Sequence, residues 1–277
     1  MPDKSAVQVR QPAKGSLSEG RVHVEVVARG DVTPDLVDLA ATKISAITHV
    51  TAEPLLLARV KLTQEPDPAR ERPAIAQVTL DVNGHLVRAQ VAARTMRDAI
   101  DLLEGRLRDK LDHRAERRQA GRRRDAPVTP GTWRHDARPA QRPTYFDRPV
   151  DERELVCRKS FATADLTVDE AAFDLEQLDH DFYLFRDVAS GADCVLEKRG
   201  DGPYRLAHTG TAAVDPGPTA VPVEVLETPV PELAVDEAIE RLDLSNEPFT
   251  FFVDTESGRG TVVYRRYDGH YGLIAPS

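Results

Sequence analysis

The first 120 residues alternate between strand and helix patterns. Four runs of alternating or continuous apolar residues predict β-strands, which lie within 21–29 and over 55–63, 74–82 and 86–92. Thr33-Pro34 opens a helix with apolar residues on one face, and a longer amphipathic helix starts near Thr95. Asn83-Gly84 indicates a tight hairpin between the last two strands. The order β-α-β-β-β-α predicts an α+β fold with both helices on one face of the sheet.

The back half of the chain contains an internal repeat. Residues 166–207 align without a gap to residues 233–274, and the 17 identities over 42 positions indicate a duplication. Each repeat predicts a small β-α-β-β-β unit. Two such units gain core by packing together, so we expect an intramolecular pseudo-dimer. Its expected core contains the aromatic residues Phe182, Phe185, Tyr204, Phe249, Phe252 and Tyr271.

The two predicted repeat helices differ at their first residues. Thr167 and Glu170 form a capping box in the first repeat. Ala234 replaces the threonine in the second repeat, so we expect that cap to be lost.

These patterns divide the chain into six segments. The stretch between the N-terminal domain and the repeats has five prolines and no hydrophobic periodicity, which is typical of a linker. Its Trp133 is a candidate for docking on another surface, although linker aromatics more often have no such role. The segments are a disordered tail (1–20), an N-terminal α+β domain (21–120), a flexible linker (121–149), a first repeat unit (150–210), a short linker (211–222) and a second repeat unit (223–277).

The net charge of −9 is distributed unevenly along the chain. Residues 21–124 contain 19 basic and 15 acidic residues, whereas residues 125–277 contain 15 and 29. The basic residues gather on the second predicted helix, where they could bind a polyanion or simply form a solvated surface with i,i+4 ion pairs. The candidates for RNA contact are Arg29, Lys43, Arg88, Arg94, Arg97, Arg106, Arg108, Lys110, Arg114, Arg117 and Arg118.

Signals of catalysis, metal binding and membrane insertion are absent from the sequence. It contains no phosphate-binding loop, nucleophile elbow or zinc-protease motif. The eight histidines have no ligand-like spacing to each other or to Cys157 and Cys194. We therefore expect no enzyme activity, metal or cofactor. The two cysteines are expected to be core residues in a reducing cytoplasm, and no apolar run reaches 18 residues.

Three stretches of the second repeat resemble the end of long-form ribosome hibernation promoting factors. They are VDEA at 235–238, DTESG at 254–258 and VVYRRYDGHYGLI at 262–274. The first repeat carries the resemblance more weakly, with YRLA at 204–207. The N-terminal segment is similar to the ribosome-binding domain of this family, through ARGDVT at 28–33, LVRA at 86–89 and MRDAID at 96–101.

The resemblance implies a domain that lies in the mRNA and tRNA channel of the small ribosomal subunit, on 16S rRNA and ribosomal proteins. There it would inhibit translation in stress or stasis, without DNA or membrane as a partner. Typical long forms dimerise through one C-terminal domain and join two ribosomes. Two such domains in one chain resemble actinobacterial dormancy-associated variants, and they could pair with each other or with another chain. The alternative is a protein-interaction adaptor, whose acidic repeats bind a protein and whose first domain binds RNA accessorily.

Overall fold

The computed structural model describes ten stretches of the chain. They are 8–9, 24–48, 53–67, 70–122, 148–161, 163–199, 202–210, 214–217, 219–245 and 247–277. Most of the predicted linker, with Trp133, lies outside these residues. The chain divides into two compact units, one consisting mainly of residues 1–127 and the other mainly of residues 144–277.

The N-terminal unit has a five-stranded sheet in the order β1-β2-β3-β4-β5, and two helices. The neighbours β2 and β3 are parallel, and the other pairs are antiparallel. The predicted β-α-β-β-β-α order is confirmed. The elements are β1 (Gln8–Val9), β2 (Val24–Arg29), α1 (Pro34–Thr48), β3 (Leu55–Gln64), β4 (Ala74–Val82), β5 (His85–Ala93) and α2 (Met96–Arg122).

The strand β1 was not predicted, because it lies in the segment expected to be a disordered tail. It pairs with β2, where Gln8 lies opposite Ala28 and Val9 opposite Val27. Without β1, the backbone groups along that edge of β2 would have no strand partner, and an added strand satisfies them.

Alternate residues of β3, β4 and β5 are buried beneath the two helices. Asn83 and Gly84 have φ angles of 54° and 83°, as a type I′ hairpin requires. The N–H of Asp98 donates to the Thr95 hydroxyl at 3.2 Å, so Thr95 caps α2. The aliphatic core includes Ile44, Ala58, Val60, Leu62, Val78, Leu80, Val87, Ala89, Ile100, Leu103 and Leu107.

The C-terminal unit has two sheets of five strands, in the orders β11-β10-β9-β8-β7 and β12-β13-β14-β15-β6. Each sheet carries one helix of its repeat. The elements are β6 (Leu155–Phe161), β7 (Asp165–Leu166), α3 (Val168–Leu178), β8 (Phe182–Asp187), β9 (Asp193–Lys198), β10 (Tyr204–His208), β11 (Val223–Val225), β12 (Glu232–Leu233), α4 (Val235–Leu244), β13 (Phe249–Asp254), β14 (Gly260–Arg265) and β15 (Tyr271–Pro276).

A strand that precedes each repeat joins the sheet of the other repeat. Strand β6 runs parallel to β15, with Cys157 opposite Gly272. Strand β11 runs parallel to β10, with Val223 opposite Tyr204. Each repeat therefore has two strands before its helix, not the single strand predicted. The exchange was not predicted, because it is a long-range pairing and the recognised repeat begins only at Leu166.

The helix caps of the two repeats differ by one hydroxyl group. The N–H of Thr167 donates to Glu170 at 2.9 Å and the N–H of Glu170 donates to the Thr167 hydroxyl at 3.3 Å, which confirms the first capping box. In the second repeat the N–H of Ala234 still donates to Glu237 at 2.8 Å. The expectation that this cap is lost is therefore wrong for the hydrogen bond to the carboxylate, since that bond needs only a backbone N–H.

The six predicted aromatic core residues lie in two places. Phe182 and Phe249 lie between the two sheets, with their ring centroids 4.5 Å apart. The other four are buried and belong to the individual repeats. They are Phe185, Tyr204, Phe252 and Tyr271.

The two buried tyrosines are bound to the helix of their own repeat. The Tyr204 hydroxyl donates to Glu176 of α3. The Tyr271 hydroxyl donates to Asp243 of α4 at 2.5 Å, and Arg153 donates to the same carboxylate at 2.7 Å. These buried hydroxyls fix each helix on its sheet, because an unpaired hydroxyl there would destabilise the fold.

Cysteine reactivity provides a test of this core. Burial raises the pKa of the Cys194 thiol to about 12, and the nearby carboxylates of Asp187 and Asp193 add to the shift. The thiolate is the reactive form, so we expect iodoacetamide at neutral pH to spare Cys194 until the unit unfolds. Mass spectrometry of the labelled peptides, with partly exposed Cys157 as the internal comparison, measures this. Labelling of Cys194 in the native protein as fast as in urea would contradict it.

Candidate RNA-binding surface

Charged residues segregate around the axis of α2. At 100° per residue, the face opposite the apolar stripe carries only acidic charge, and we call it the acidic crest. No Lys or Arg lies in this sector between residues 98 and 119. The crest would repel phosphate, so a contact between RNA and α2 would have to come from a side of the helix. The crest residues are Asp98, Asp101, Asp109, Asp112 and Glu116.

One side of α2 carries a row of basic residues, the basic flank, which consists of Arg106, Lys110 and Arg117. Their spacing of four and seven residues places them within about 40° of one another around the axis. All three are partly buried. The other side of α2 faces α1, where Lys43 contacts Glu104. The basic flank is thus the side of α2 turned away from α1.

The candidate Lys43 holds the two helices together. Its ammonium group lies 2.5 Å from Glu104 and 3.0 Å from Asp101. Hydrogen bonds to these two carboxylates raise the pKa of Lys43 above its usual value, which outweighs the opposite effect of burial. Because two carboxylates offset its positive charge, Lys43 would attract a phosphate only weakly.

The candidate Arg114 is buried inside the domain. Its guanidinium donates to both carboxylate oxygens of Glu53, at 3.1 and 3.2 Å, and its side chain is 7% exposed. Burial alone would raise the pKa of Glu53, but hydrogen bonds from Arg114 and Arg118 lower it below its usual value. Arg114 therefore stabilises the fold, and we leave it out of the proposed RNA surface.

The face of the sheet away from the helices is a second basic surface, the open face. Arg59 and Lys61 of β3 point to this face, because the intervening Val60 is buried under the helices. Arg88 lies in the same row as Arg59, two strands away. It donates to the side chains of Gln77 and Gln90, at 3.2 and 3.0 Å. The acidic residues of this face, Glu25 and Asp81, are bound to Arg59 and to a turn N–H.

Arg59 and Lys61 were not among the predicted RNA contacts. The signal was present in the sequence, because both alternate with apolar residues along a predicted strand. The open face is net positive, and the row formed by Arg59 and Arg88 runs across the strands.

The remaining candidates are exposed arginines outside the basic flank. Arg29 is the last residue of β2 and Arg94 follows β5 at the same end of the sheet, and Arg97 lies in the first turn of α2. Arg94 is 3.8 Å from Glu71, a pairing of two exposed groups that has little energetic effect. Arg108 forms an i,i+4 pair with Glu104, and Arg118 contacts Glu53 while remaining 44% exposed.

Neither a metal centre nor a membrane span is found in the described part of the chain. Its His, Cys, Asp and Glu side chains form no group of three that could hold a metal ion. None of the helices described above is long and apolar enough to cross a bilayer.

Both units match one family of proteins. Residues 24–119 match the sigma 54 modulation protein / S30EA ribosomal protein family. Residues 150–206 and 223–273 each match the C terminus of the same proteins. The chain belongs to this family. The resemblance to long-form hibernation promoting factors is confirmed, and the second C-terminal match shows that the repeat is a duplicated family domain.

The chain aligns with several curated relatives over most of their length. A dormancy associated translation inhibitor of Mycobacterium tuberculosis is 31% identical over 227 residues, which span 79% of this chain and 76% of the relative. A ribosome hibernation promotion factor of Deinococcus radiodurans is 30% identical over 181 residues, or 64% of this chain and 92% of the relative. A protein of the same name from Lactococcus lactis is 28% identical over 139 residues, or 50% and 74%.

Replacing Arg114 tests its structural role. Arg114→Ala leaves the buried Glu53 with one partner, so we expect a loss of about 3 kcal/mol in the free energy of unfolding of the N-terminal unit. Arg108→Ala, which removes an exposed pair on the same helix, should change it by less than about 0.5 kcal/mol. Urea denaturation followed by circular dichroism measures both. Equal effects of the two variants would contradict the assignment.

The lowered pKa of Glu53 predicts an acid sensitivity. A carboxyl group whose pKa is depressed in the folded state stabilises the fold above its unfolded pKa, and this contribution is lost as the pH falls through the folded value. We expect Glu53→Gln to be destabilising near pH 7 and to flatten the decline in stability below pH 4.5. Thermal unfolding across pH 3–7 measures this, and a parallel decline in both proteins would contradict it.

Proposed function

We propose that this protein is a ribosome hibernation factor, which binds the small ribosomal subunit in the mRNA and tRNA channel and inhibits translation in stress or stasis. The observation that carries the proposal is the presence in one chain of the S30EA domain and two copies of the family's C-terminal domain. Relatives that align over most of their length are named as a translation inhibitor of dormancy and as ribosome hibernation factors.

The charge distribution of the N-terminal unit supports binding to RNA through two surfaces. Ribosomal RNA presents phosphates and ribose hydroxyls, and its helices are recognised mainly by shape and backbone. The open face offers guanidinium and amide groups in rows, and guanidinium groups can bind phosphate through two hydrogen bonds. The basic flank adds a second line of positive charge. The acidic crest lies on the side of α2 opposite the sheet and turns away from the RNA.

The proposed RNA contacts are accordingly grouped by position. The open face contributes Arg59, Lys61 and Arg88, and the end of the sheet contributes Arg29, Arg94 and Arg97. The basic flank contributes Arg106, Lys110 and Arg117, and we add Arg108 and Arg118 as exposed residues of the same helix.

We further propose that the two C-terminal repeats pair with each other within the chain. The exchanged strands β6 and β11 support this, as does the apolar cluster that Leu184 and Val195 of one repeat form with Val262 of the other. A pair closed in this way has no unpaired domain with which to join a second ribosome.

The segment from 125 onward is acidic, with 15 basic and 29 acidic residues, which favours anchoring on a ribosomal protein over RNA.

Anchoring would act through effective concentration. A C-terminal unit held on the ribosome keeps the N-terminal unit nearby, so its rebinding becomes intramolecular, provided that the segment between the units can span the distance. The protein would then silence single ribosomes with two attached modules and no second chain.

Salt dependence tests the RNA-binding surface. The paired substitution Arg59→Gln and Lys61→Gln should weaken retention on purified ribosomes, and should reduce the slope of log affinity against log salt by about 1–2, since each lost phosphate contact removes close to one unit. The matched control is Asp112→Asn with Glu116→Gln on the acidic crest, which should leave the slope unchanged or raise it. An unchanged slope in the first variant would exclude the open face.

Sedimentation tests the consequence of internal pairing. In sucrose gradients of extracts from resting cells, we expect the protein to migrate with single ribosomes. Migration with ribosome dimers would mean that the repeats also pair between chains. Recovery in the soluble fraction alone at low salt would contradict ribosome binding and favour the adaptor alternative, in which a chain without residues 1–120 retains its main partner.

A further inference from the structure

Equivalent residues of the two repeats face each other along a surface that we call the seam. It lies between the sheets and is formed by β8 and β9 on one side and β13 and β14 on the other. Phe182 packs on its equivalent Phe249 at 4.5 Å, and Val195 lies in the same cluster as its equivalent Val262. A pseudo-twofold relation therefore brings each position of the seam close to its own counterpart.

One facing pair of the seam consists of an aspartate and a glycine. Asp193 and Gly260 are equivalent, because 193 plus the offset of 67 is 260. A Cβ atom added to Gly260 would lie 2.6 Å from the Cβ of Asp193, closer than real Cβ atoms approach each other. The backbone N–H of Gly260 donates to the Asp193 carboxylate at 2.9 Å. The glycine thus makes room for the aspartate and binds it.

The neighbouring pair supplies the charge that the aspartate requires. Arg259 donates to both oxygens of Asp193, at 2.8 and 2.9 Å, and its counterpart in the first repeat is Ala192. The Asp193 side chain is only 6% exposed. Burial alone would raise the pKa of Asp193, but Arg259 and the N–H of Gly260 lower it below its usual value. The first repeat supplies the carboxylate of Asp193, and the second supplies the guanidinium of Arg259 and the free space at Gly260.

Two further facing pairs differ in size or charge. Glu197 of the first repeat corresponds to Tyr264 of the second, whose ring lies 5.7 Å from that of Phe182. Leu184 corresponds to Phe251, and both pack in the seam. At each of these positions, the second repeat carries the larger ring and the first the smaller or charged side chain.

These differences make pairing of like repeats unfavourable. Two first repeats would bring two Asp193 carboxylates to the same seam without Arg259. Two second repeats would leave a gap between two Gly260 residues and place two Arg259 side chains together without an acid. Unpaired charges in a buried contact are strongly destabilising, and such repulsion is how an interface rejects a wrong partner.

We propose that the two repeats are a matched, non-interchangeable pair, in which Asp193, Arg259 and Gly260 select a second repeat as the partner of a first repeat and exclude pairing of like repeats between chains. This inference rests on the internal pairing proposed above but not on ribosome binding. The exchanged strands keep the correct partner within the same chain, so the protein is a monomer that cannot join two ribosomes through like repeats.

The test exchanges the contact residues between the two repeats, so that the second repeat carries the aspartate and the first carries the arginine and the glycine, in the full-length protein. Gly260→Asp alone sets two carboxylates against each other and should lower the midpoint of thermal unfolding of the C-terminal unit by roughly 10 °C. Adding Ala192→Arg, Asp193→Gly and Arg259→Ala rebuilds the contact in the opposite sense and should restore the midpoint to within a few degrees. The matched control transposes the exposed neighbours, with Val188→Thr, Ala189→Glu, Thr255→Val and Glu256→Ala, and should leave the midpoint unchanged.

Two outcomes would overturn the proposal on purified protein, without ribosomes. One is a transposed variant that unfolds as early as Gly260→Asp, together with additive effects of Asp193→Asn and Arg259→Gln in a double-mutant cycle. The other is energy transfer between donor- and acceptor-labelled wild-type chains after mixing, which would show repeats pairing between chains. Loss of ribosome binding with an intact seam would contradict only the proposed function.

Discussion

Each sheet of the C-terminal unit is completed by a strand that lies, in sequence, ahead of the other repeat. Strand β6 closes the edge beside β15, and β11 closes the edge beside β10. Without them, each sheet would end in a strand with unpaired backbone groups, which is an aggregation hazard. Because both edges are closed from the opposite repeat, neither repeat is complete alone. The seam and the buried Asp193 contact follow from this arrangement, since it holds the two sheets face to face.

In the N-terminal unit, the positions of the basic residues determine the surface charge more than their number does. Arg114 and Lys43 are bound to carboxylates of other elements, and they hold the fold together. The other basic side chains lie mainly on the open face and on the basic flank, whereas the outermost face of α2 is acidic. A helix with more basic than acidic residues can therefore present a negative outer face, because its basic side chains lie on the sides of the helix or are buried inside the domain.

Patterns that depend on neighbouring residues predicted much of this structure. The Asn83-Gly84 hairpin, the Thr167 capping box and the alternation of β3 to β5 are all local, and each appears as predicted. Contacts between distant residues were not accessible in the same way. Arg114 and Glu53 are 61 positions apart, and nothing in either neighbourhood identifies the other. The exchanged strands share one identity at equivalent positions, Val156 and Val223, so the duplication does not reveal them.

The exchange of β6 also has a consequence for how the protein is made. Leu155 lies opposite Tyr271, so the first strand of the C-terminal unit meets its partner only after 116 further residues have been synthesised. At the usual speed of translation, β6 waits on the order of ten seconds. Contacts so distant in sequence also form slowly, because a long loop must close first. The N-terminal unit folds from nearer contacts, so a nascent chain has an ordered front half well before its C-terminal unit is complete.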